Sequence, residues 1–201
     1  MANENTPLVP GGSDGSLIAI IKGVVIRMLG PGQQVPAKFA VVGIGIAAAY
    51  FICSLFDNSK LILATFVLNG LVCVSFGFAM TVWRIASTNE EGLIKTDMFL
   101  RWYRAQINNA EWNTFIMLLK FVIVYFSDGE VGFIAAFSAV WTDIGTLLYF
   151  LGVMVFYDEL PNDTKSMLGV RLPPFRFAGV LSRYLGLYLM VYVVWTKINL
   201  D

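Results

Sequence analysis

The chain has 201 residues, of which 57% are hydrophobic and only 14% carry a charged side chain. A soluble domain is about 45–50% apolar and about 25% charged, so this composition excludes an ordinary soluble fold. The net charge is zero and no histidine is present. These two facts leave no basic surface for nucleic acid and remove the usual ligand of zinc and haem. We therefore expect an integral membrane protein that binds no metal, haem or nucleic acid.

The first 35 residues are predicted to form a polar arm and a short interfacial helix. Residues 1–15 are rich in Gly, Pro and Asn and carry no Lys or Arg, so neither a secretory signal nor an Arg-rich transit peptide is visible. Residues 16–29 are too short and too charged to span a membrane. We expect this segment to lie at the interface, with Lys22 and Arg27 towards the lipid headgroups.

Five apolar runs follow the arm, and each is long enough to cross about 30 Å of hydrocarbon as a helix. They cover residues 36–56, 61–86, 99–126, 131–157 and 173–197. Only helices satisfy their own backbone polar groups in lipid at this length. The sequence therefore predicts an all-α bundle of five transmembrane helices, in which Cys53 and Cys73 are buried thiols and not a disulfide.

The distribution of Lys and Arg predicts the orientation of this bundle. With the N-terminus inside, ten of the fourteen basic residues fall at inner helix ends or in inner loops, and Arg183 falls within the last run. The outer ends carry Lys60, Lys120 and Lys197. We therefore place the N-terminus and the loops 87–98 and 158–172 on the positive-inside face, which is cytosol, matrix or stroma.

The third run carries an ordered set of polar residues near its start. Arg101, Arg104, Asn108 and Glu111 are spaced by 3, 4 and 3 positions, which places them on one stripe of a helix. At about 1.5 Å per residue the stripe descends roughly 15 Å from the inner surface. An unpaired charge at the depth of Glu111 costs at least about 2.5–3.5 kcal/mol. The stripe either binds a small zwitterion or pairs with neighbouring helices and holds the bundle together.

The residue types of this stripe resemble a signature of the MAPEG family, the membrane-associated proteins of eicosanoid and glutathione metabolism. The matching residues are Arg101, Tyr103, Arg104, Ala105, Gln106, Asn108 and Glu111, followed by the aromatic Trp112. The closest likeness is to the branch that contains the cysteinyl-leukotriene synthase. Weaker likenesses are Arg84 at the end of the preceding run, Tyr149-Phe150-x-Gly152, and Arg171-Leu172-x-Pro174. The resemblance covers residues 61–197.

The resemblance implies a four-helix membrane bundle that forms a homotrimer and holds glutathione between subunits near the cytosolic face. Residues 36–57 would then be an extra transmembrane helix in front of a four-helix domain, 61–197. The implied glutathione-binding residues are Arg84, Arg101, Arg104, Gln106, Asn108, Glu111 and Tyr149. Arg171 is implied as the catalytic residue that activates the glutathione thiol as a thiolate.

These roles predict a glutathione-dependent transferase or peroxidase that acts on a lipophilic electrophile from the bilayer. Trp112, Thr114 and Val153 depart from the pattern of this family branch. The departures at Trp112 and Val153 favour an alternative, a non-catalytic MAPEG-like protein that binds lipid. A further alternative is a structural subunit of a larger membrane complex, docked to other membrane proteins by the extra helix and the arm.

Two more charged residues, Asp143 and Arg183, fall near mid-membrane in the last two runs. We expect them either to form a structural pair between adjacent antiparallel helices or to mark a route for a polar substrate or a proton. Lys120 lies about 9 Å from the outer face at 1.5 Å per residue. We expect its long side chain to reach that face and to have no functional role.

Overall fold

The computed structural model describes residues 35–87, 97–128, 130–154 and 174–200, and the regular structure in these ranges is helical. It contains α1 Val35–Leu55, α2 Asn58–Ser87, α3 Asp97–Tyr125, α4 Phe133–Met154 and α5 Pro174–Leu200. The all-α fold class is confirmed, and each helix matches one predicted apolar run closely. The predicted interfacial helix, most of the loop 87–98, and the loop 158–172 with Arg171 lie outside the described residues.

Four of the helices in the described ranges, α1, α2, α4 and α5, are long and apolar enough to cross a membrane. The fifth helix, α3, has 29 residues and is long enough. The charged and amide side chains of its first half make it more polar than the other four, and it is not among these candidate spans. It packs directly against α2, α4 and α5. The chain is therefore a helical membrane protein in which one polar helix lies against apolar ones.

Successive helices from α2 to α5 run in alternating directions. At one end of the bundle Trp83 of α2 contacts Phe99 of α3, with ring centres 6.0 Å apart. At the other end residues 126–128 and 130–132 lie between α3 and α4, and Asp128 adopts a positive φ of 45° that Asp tolerates. We call the first end, where α2 ends and α3 and α5 begin, the basic end, and the other the turn end.

Helix α1 packs against α4 and α5. Phe39 of α1 contacts Phe177 of α5, and Tyr50 of α1 contacts Phe133 of α4. Lys38, near the start of α1, is buried and lies over the Phe177 ring. Helix α1 therefore lies against α4 and α5, and the face of α3 that carries the stripe is not among its main contacts.

Glycines allow α4 and α5 to approach each other closely. A Cβ atom added to Gly179 of α5 would lie 2.2 Å from the backbone nitrogen of Tyr149, and one added to Gly152 of α4 would lie 2.4 Å from that of Arg176. Small residues allow this kind of backbone contact between membrane helices. The close packing brings Arg176 and Arg183, both on α5, against Tyr149 on α4.

Candidate functional site

The predicted stripe lies on α3 towards the basic end. Arg104 and Glu111 are exposed and Asn108 is half-buried. Within the described part of the chain neither Arg104 nor Glu111 forms an ion pair. As far as the described residues go, both charges are therefore open to a ligand or to a neighbouring subunit.

The other predicted residues of this region are distributed more widely. Arg84 is exposed in the last turn of α2. Gln106 is half-buried and does not face Arg104 or Asn108, because residues two apart on a helix point in different directions. Arg101 belongs to the first turns of α3, and its side chain lies outside the described set, as does Arg171. The structure thus places Arg104, Asn108 and Glu111 along one face and Gln106 away from it.

Asn108 connects this face to a buried arginine on α5. Arg183 is only 3% exposed, and its Nη1 donates a 2.6 Å hydrogen bond to Oδ1 of Asn108. Its guanidinium carbon lies 4.7 Å from the centre of the Tyr149 ring, which is a cation–π distance. Arg183 therefore brings together Asn108 and Tyr149, two predicted glutathione-binding residues from different helices.

A second arginine of α5 approaches the same tyrosine. The guanidinium carbon of Arg176 lies 6.0 Å from the centre of the Tyr149 ring. The Nε atoms of Arg176 and Arg183, together with Nη2 of Arg183, are buried and have no hydrogen-bond partner among the described residues. We call Arg176, Arg183, Asn108 and Tyr149 the arginine centre. It is positively charged and has unused hydrogen-bond donors.

Apolar and aromatic side chains surround the arginine centre. Trp112, one turn beyond Asn108, packs edge-on against Tyr184, with ring centres 4.9 Å apart. Tyr149 clusters with Ala105 and Val153, and all three are buried. The departures at Trp112 and Val153 therefore lie beside the centre and give it an aromatic and aliphatic wall.

Asp143 does not pair with Arg183. Nζ of Lys120 lies 2.7 Å from both carboxylate oxygens of Asp143, and Asn69 donates a 3.0 Å hydrogen bond to Oδ1 of the same carboxylate. Asp143 points to α2 and α3, whereas Arg183 points to Asn108. The pairing of Asp143 with Arg183 is thus ruled out by the rotation of the two helices. We call Lys120, Asp143 and Asn69 the lysine–aspartate centre.

The structure also corrects the prediction for Lys120. Its side chain is 0% exposed, with both ends of the ion pair inside the bundle. It therefore does not extend to the outer face. The carboxylate of Asp143, on the neighbouring helix, provides a closer partner for the ammonium group than the membrane surface.

A chain of amide side chains continues from the lysine–aspartate centre towards the basic end. Asn113 donates to the backbone oxygen of Asn69 at 2.8 Å and contacts Sγ of Cys73 at 3.0 Å. Asn109 contacts the same sulfur at 3.5 Å. Both cysteines are free thiols, as predicted, although Cys73 is only partly buried. The position of Asn69 and Asn113 was not singled out in the sequence, although two amides inside apolar runs are unusual enough to have indicated a buried network.

The arrangement supports two kinds of chemistry. The exposed face of α3 offers a guanidinium and a carboxylate at a spacing that suits a zwitterion, and the arginine centre offers donors for an anion. The lysine–aspartate centre is neutral overall and its groups bond to each other. Comparison with protein-family models, curated proteins and solved structures finds no match to this chain.

Proposed function

We propose that this chain is a MAPEG-like membrane protein that binds glutathione and acts as a transferase or peroxidase on a lipophilic electrophile. The observation that carries the proposal is the contact of both Asn108 and Tyr149 with Arg183. These two residues belong to separate motifs of the resemblance and to different helices. Their meeting at one guanidinium supports a common ligand site.

The charges on α3 fit the groups of the tripeptide. A guanidinium such as that of Arg104 binds a carboxylate with two parallel hydrogen bonds, and the Glu111 carboxylate would accept the ammonium group. Both side chains are exposed in the isolated chain. A second copy of the chain against α3 would bury them and the ligand together, which agrees with a site between the subunits of a homotrimer.

The chemical step requires a thiolate. Arg171 would stabilise the glutathione thiolate, since a nearby guanidinium favours the charged form of the nucleophile. The sulfur would then form a C–S bond to the electrophilic carbon, and the leaving group would depart with the bonding electrons and accept a proton. The electrophile would enter from the bilayer, where a lipophilic substrate concentrates.

The proposed function includes an orientation of the bundle in the membrane. The basic end carries Arg84, Arg104 and Arg176, and the positive-inside rule places such an end on the cytosolic, matrix or stromal side. Glutathione is a water-soluble molecule and would reach the α3 face from that side.

A second candidate is a non-catalytic lipid-binding or structural subunit of a larger membrane complex. Tyr149 is 7% exposed and Oδ1 of Asn108 already accepts a hydrogen bond from Arg183. Val153 adds no hydroxyl group to the wall of the centre. These features favour a role in which the same residues stabilise the bundle and leave glutathione unbound.

Titration of the purified protein with glutathione tests the proposal. We expect saturable binding, seen as a rise in thermal stability and in thiolate absorbance, with S-methylglutathione giving the first signal only. Glu111→Gln and Arg104→Gln should lose binding, Arg171→Ala should bind without forming thiolate, and Lys60→Gln, at the turn end, should behave as wild type. Absence of binding at millimolar glutathione would refute the enzyme. Stoichiometric purification with other membrane proteins would then support the second candidate.

A further inference from the structure

The charge of Arg183 is not balanced within the described part of the chain. The side chain is almost completely buried, and no described carboxylate forms an ion pair with it. Its contacts are the neutral carbonyl oxygen of Asn108 and the face of the Tyr149 ring. A buried cation in a membrane protein is costly unless an anion or several acceptors compensate it. An anion beside Arg183 would offset this cost.

The unused donors of Arg183 form one edge of the guanidinium group. Nη1 is occupied by Asn108, and Nε and Nη2 are the two buried atoms without a partner. The Nε and Nη2 hydrogens point in parallel, and this edge binds two oxygens of a carboxylate or a phosphate side by side. This edge therefore matches an oxyanion in shape as well as in charge.

A second cation favours an anion at the same place. Arg176 contacts the same tyrosine ring as Arg183, and its Nε is also buried without a partner. Two guanidinium groups on one ring repel each other unless an anion lies near both. Both arginines of the arginine centre therefore favour the same kind of ligand.

The surroundings indicate that this anion carries an apolar part. Arg183 lies about 14 Å along α5 from Pro174 at 1.5 Å per residue. Tyr184, Leu185 and Tyr188, beside or one turn beyond it, are exposed apolar side chains on a membrane-spanning helix. A free inorganic ion would lose its hydration at this depth without gaining enough partners. An amphipathic anion keeps its chain in the hydrocarbon and directs only its headgroup to the arginines.

We propose that the arginine centre binds the headgroup oxyanion, a phosphate or a carboxylate, of an anionic membrane lipid. The Nε and Nη2 edge of Arg183 takes two oxygens, Arg176 provides the second positive charge, and the acyl chain lies against Tyr184, Leu185 and Tyr188. The lipid site shares Asn108 and Tyr149 with the proposed glutathione site, but its ligand contacts are the inner edge of Arg183 and not the exposed charges of Arg104 and Glu111.

The test uses the delipidated protein in a non-ionic detergent and follows thermal unfolding during titration with matched lipids. Phosphatidic acid is compared with diacylglycerol, and oleate with oleyl alcohol. We expect one or both anionic lipids to raise the unfolding temperature saturably and their neutral counterparts to have no effect. The stronger of the two anionic lipids identifies the headgroup as phosphate or carboxylate. Equal stabilisation by neutral and anionic lipids would overturn the proposal.

Two variants of the site and one control separate loss of the site from loss of the fold. Arg183→Gln should weaken the affinity for the anionic lipid at least tenfold, whereas Lys60→Gln should keep it. Asn108→Asp places a carboxylate beside Nη1 of Arg183, so this variant should fold without lipid and lose most of its response to anionic lipid. A full response in either Arg183→Gln or Asn108→Asp would overturn the lipid site.

Titration with glutathione in the same assay distinguishes the lipid site from the proposed glutathione-dependent enzyme. Stabilisation of the wild type by anionic lipid without any effect of glutathione supports the lipid site and refutes the enzyme. Stabilisation by glutathione without any effect of anionic lipid refutes the lipid site and supports the enzyme.

Discussion

Two buried basic groups of this bundle differ in how their charge is balanced. Lys120 is fully buried and has both oxygens of Asp143 at 2.7 Å, with Asn69 bonded to the same carboxylate. Arg183 is almost as deeply buried, but it has one amide oxygen and one aromatic face. Burial alone therefore does not indicate the role of a charge. The lysine–aspartate centre is complete within the chain, whereas the arginine centre keeps donors without a partner among the described residues and is the proposed ligand site.

Breaking the lysine–aspartate centre should lower the free energy of unfolding more than any other change considered. Asp143→Leu leaves the ammonium group of Lys120 buried without an anion, and removal of one partner of a buried pair costs about 3–5 kcal/mol. Denaturant unfolding in detergent measures this loss. The double variant Lys120→Met with Asp143→Leu should recover most of it, because an apolar pair of similar volume replaces the ion pair. A double variant as unstable as the single one would show that the pair is not the cause.

Forcing α4 and α5 apart should have the next largest effect on the free energy of unfolding. It should also disturb the arginine centre, which lies between these helices. A methyl group on Gly179 would meet the backbone of Tyr149 at 2.2 Å. Such overpacking costs about 1–3 kcal/mol, so Gly179→Ala should lower the free energy of unfolding by this amount. Gly77→Ala on α2 is the matched control, since nothing lies within 4 Å of its added Cβ. Equal losses in the two variants would argue against a close α4–α5 contact.

The fold was predictable because it depends on the length of apolar runs. Each of the five runs became one helix, since lipid permits little else at that length. The polar helix α3 fits this rule less well. Its first half carries Arg101, Arg104 and Glu111, so the length of α3 fits a membrane span while its polarity does not, and among the described helices only the other four meet both conditions.

Helical spacing fixes a face of a helix but not its partner, so the sequence predicts one surface of α3 and not the contacts that this surface makes. The 3, 4 and 3 spacing correctly placed Arg104, Asn108 and Glu111 together on α3. It carried no information on the rotation of α4 and α5, and so Asp143 was expected opposite Arg183 when Lys120 is its true partner. The partner of Arg183 was missed for the same reason. Its contact with Asn108 joins positions 75 residues apart, and no local pattern encodes such a contact.

Removing the charge of Arg183 from the arginine centre should change the free energy of unfolding less than Asp143→Leu or Gly179→Ala does. Arg183→Met leaves no buried carboxylate behind, and the lost hydrogen bond to Asn108 is worth about 1 kcal/mol. Loss of an uncompensated buried charge acts in the opposite direction. In delipidated protein we therefore expect the free energy of unfolding to change by no more than about 1 kcal/mol. A loss as large as that of Asp143→Leu would mean that the charge of Arg183 is already balanced.

The smallest effect on stability is expected on the exposed face of α3, where the effect on binding should be large. Glu111→Gln changes an exposed side chain without an ion pair among the described residues, and such substitutions usually alter stability by less than about 0.5 kcal/mol. If the carboxylate accepts the ammonium group of glutathione, the same variant should lose binding at least tenfold. Glu130→Gln is the matched control, because it removes one exposed carboxylate at the turn end. Equal glutathione affinity in the two variants would remove Glu111 from the site, whereas a large loss of stability in Glu111→Gln alone would show that a neighbouring subunit already pairs with this carboxylate.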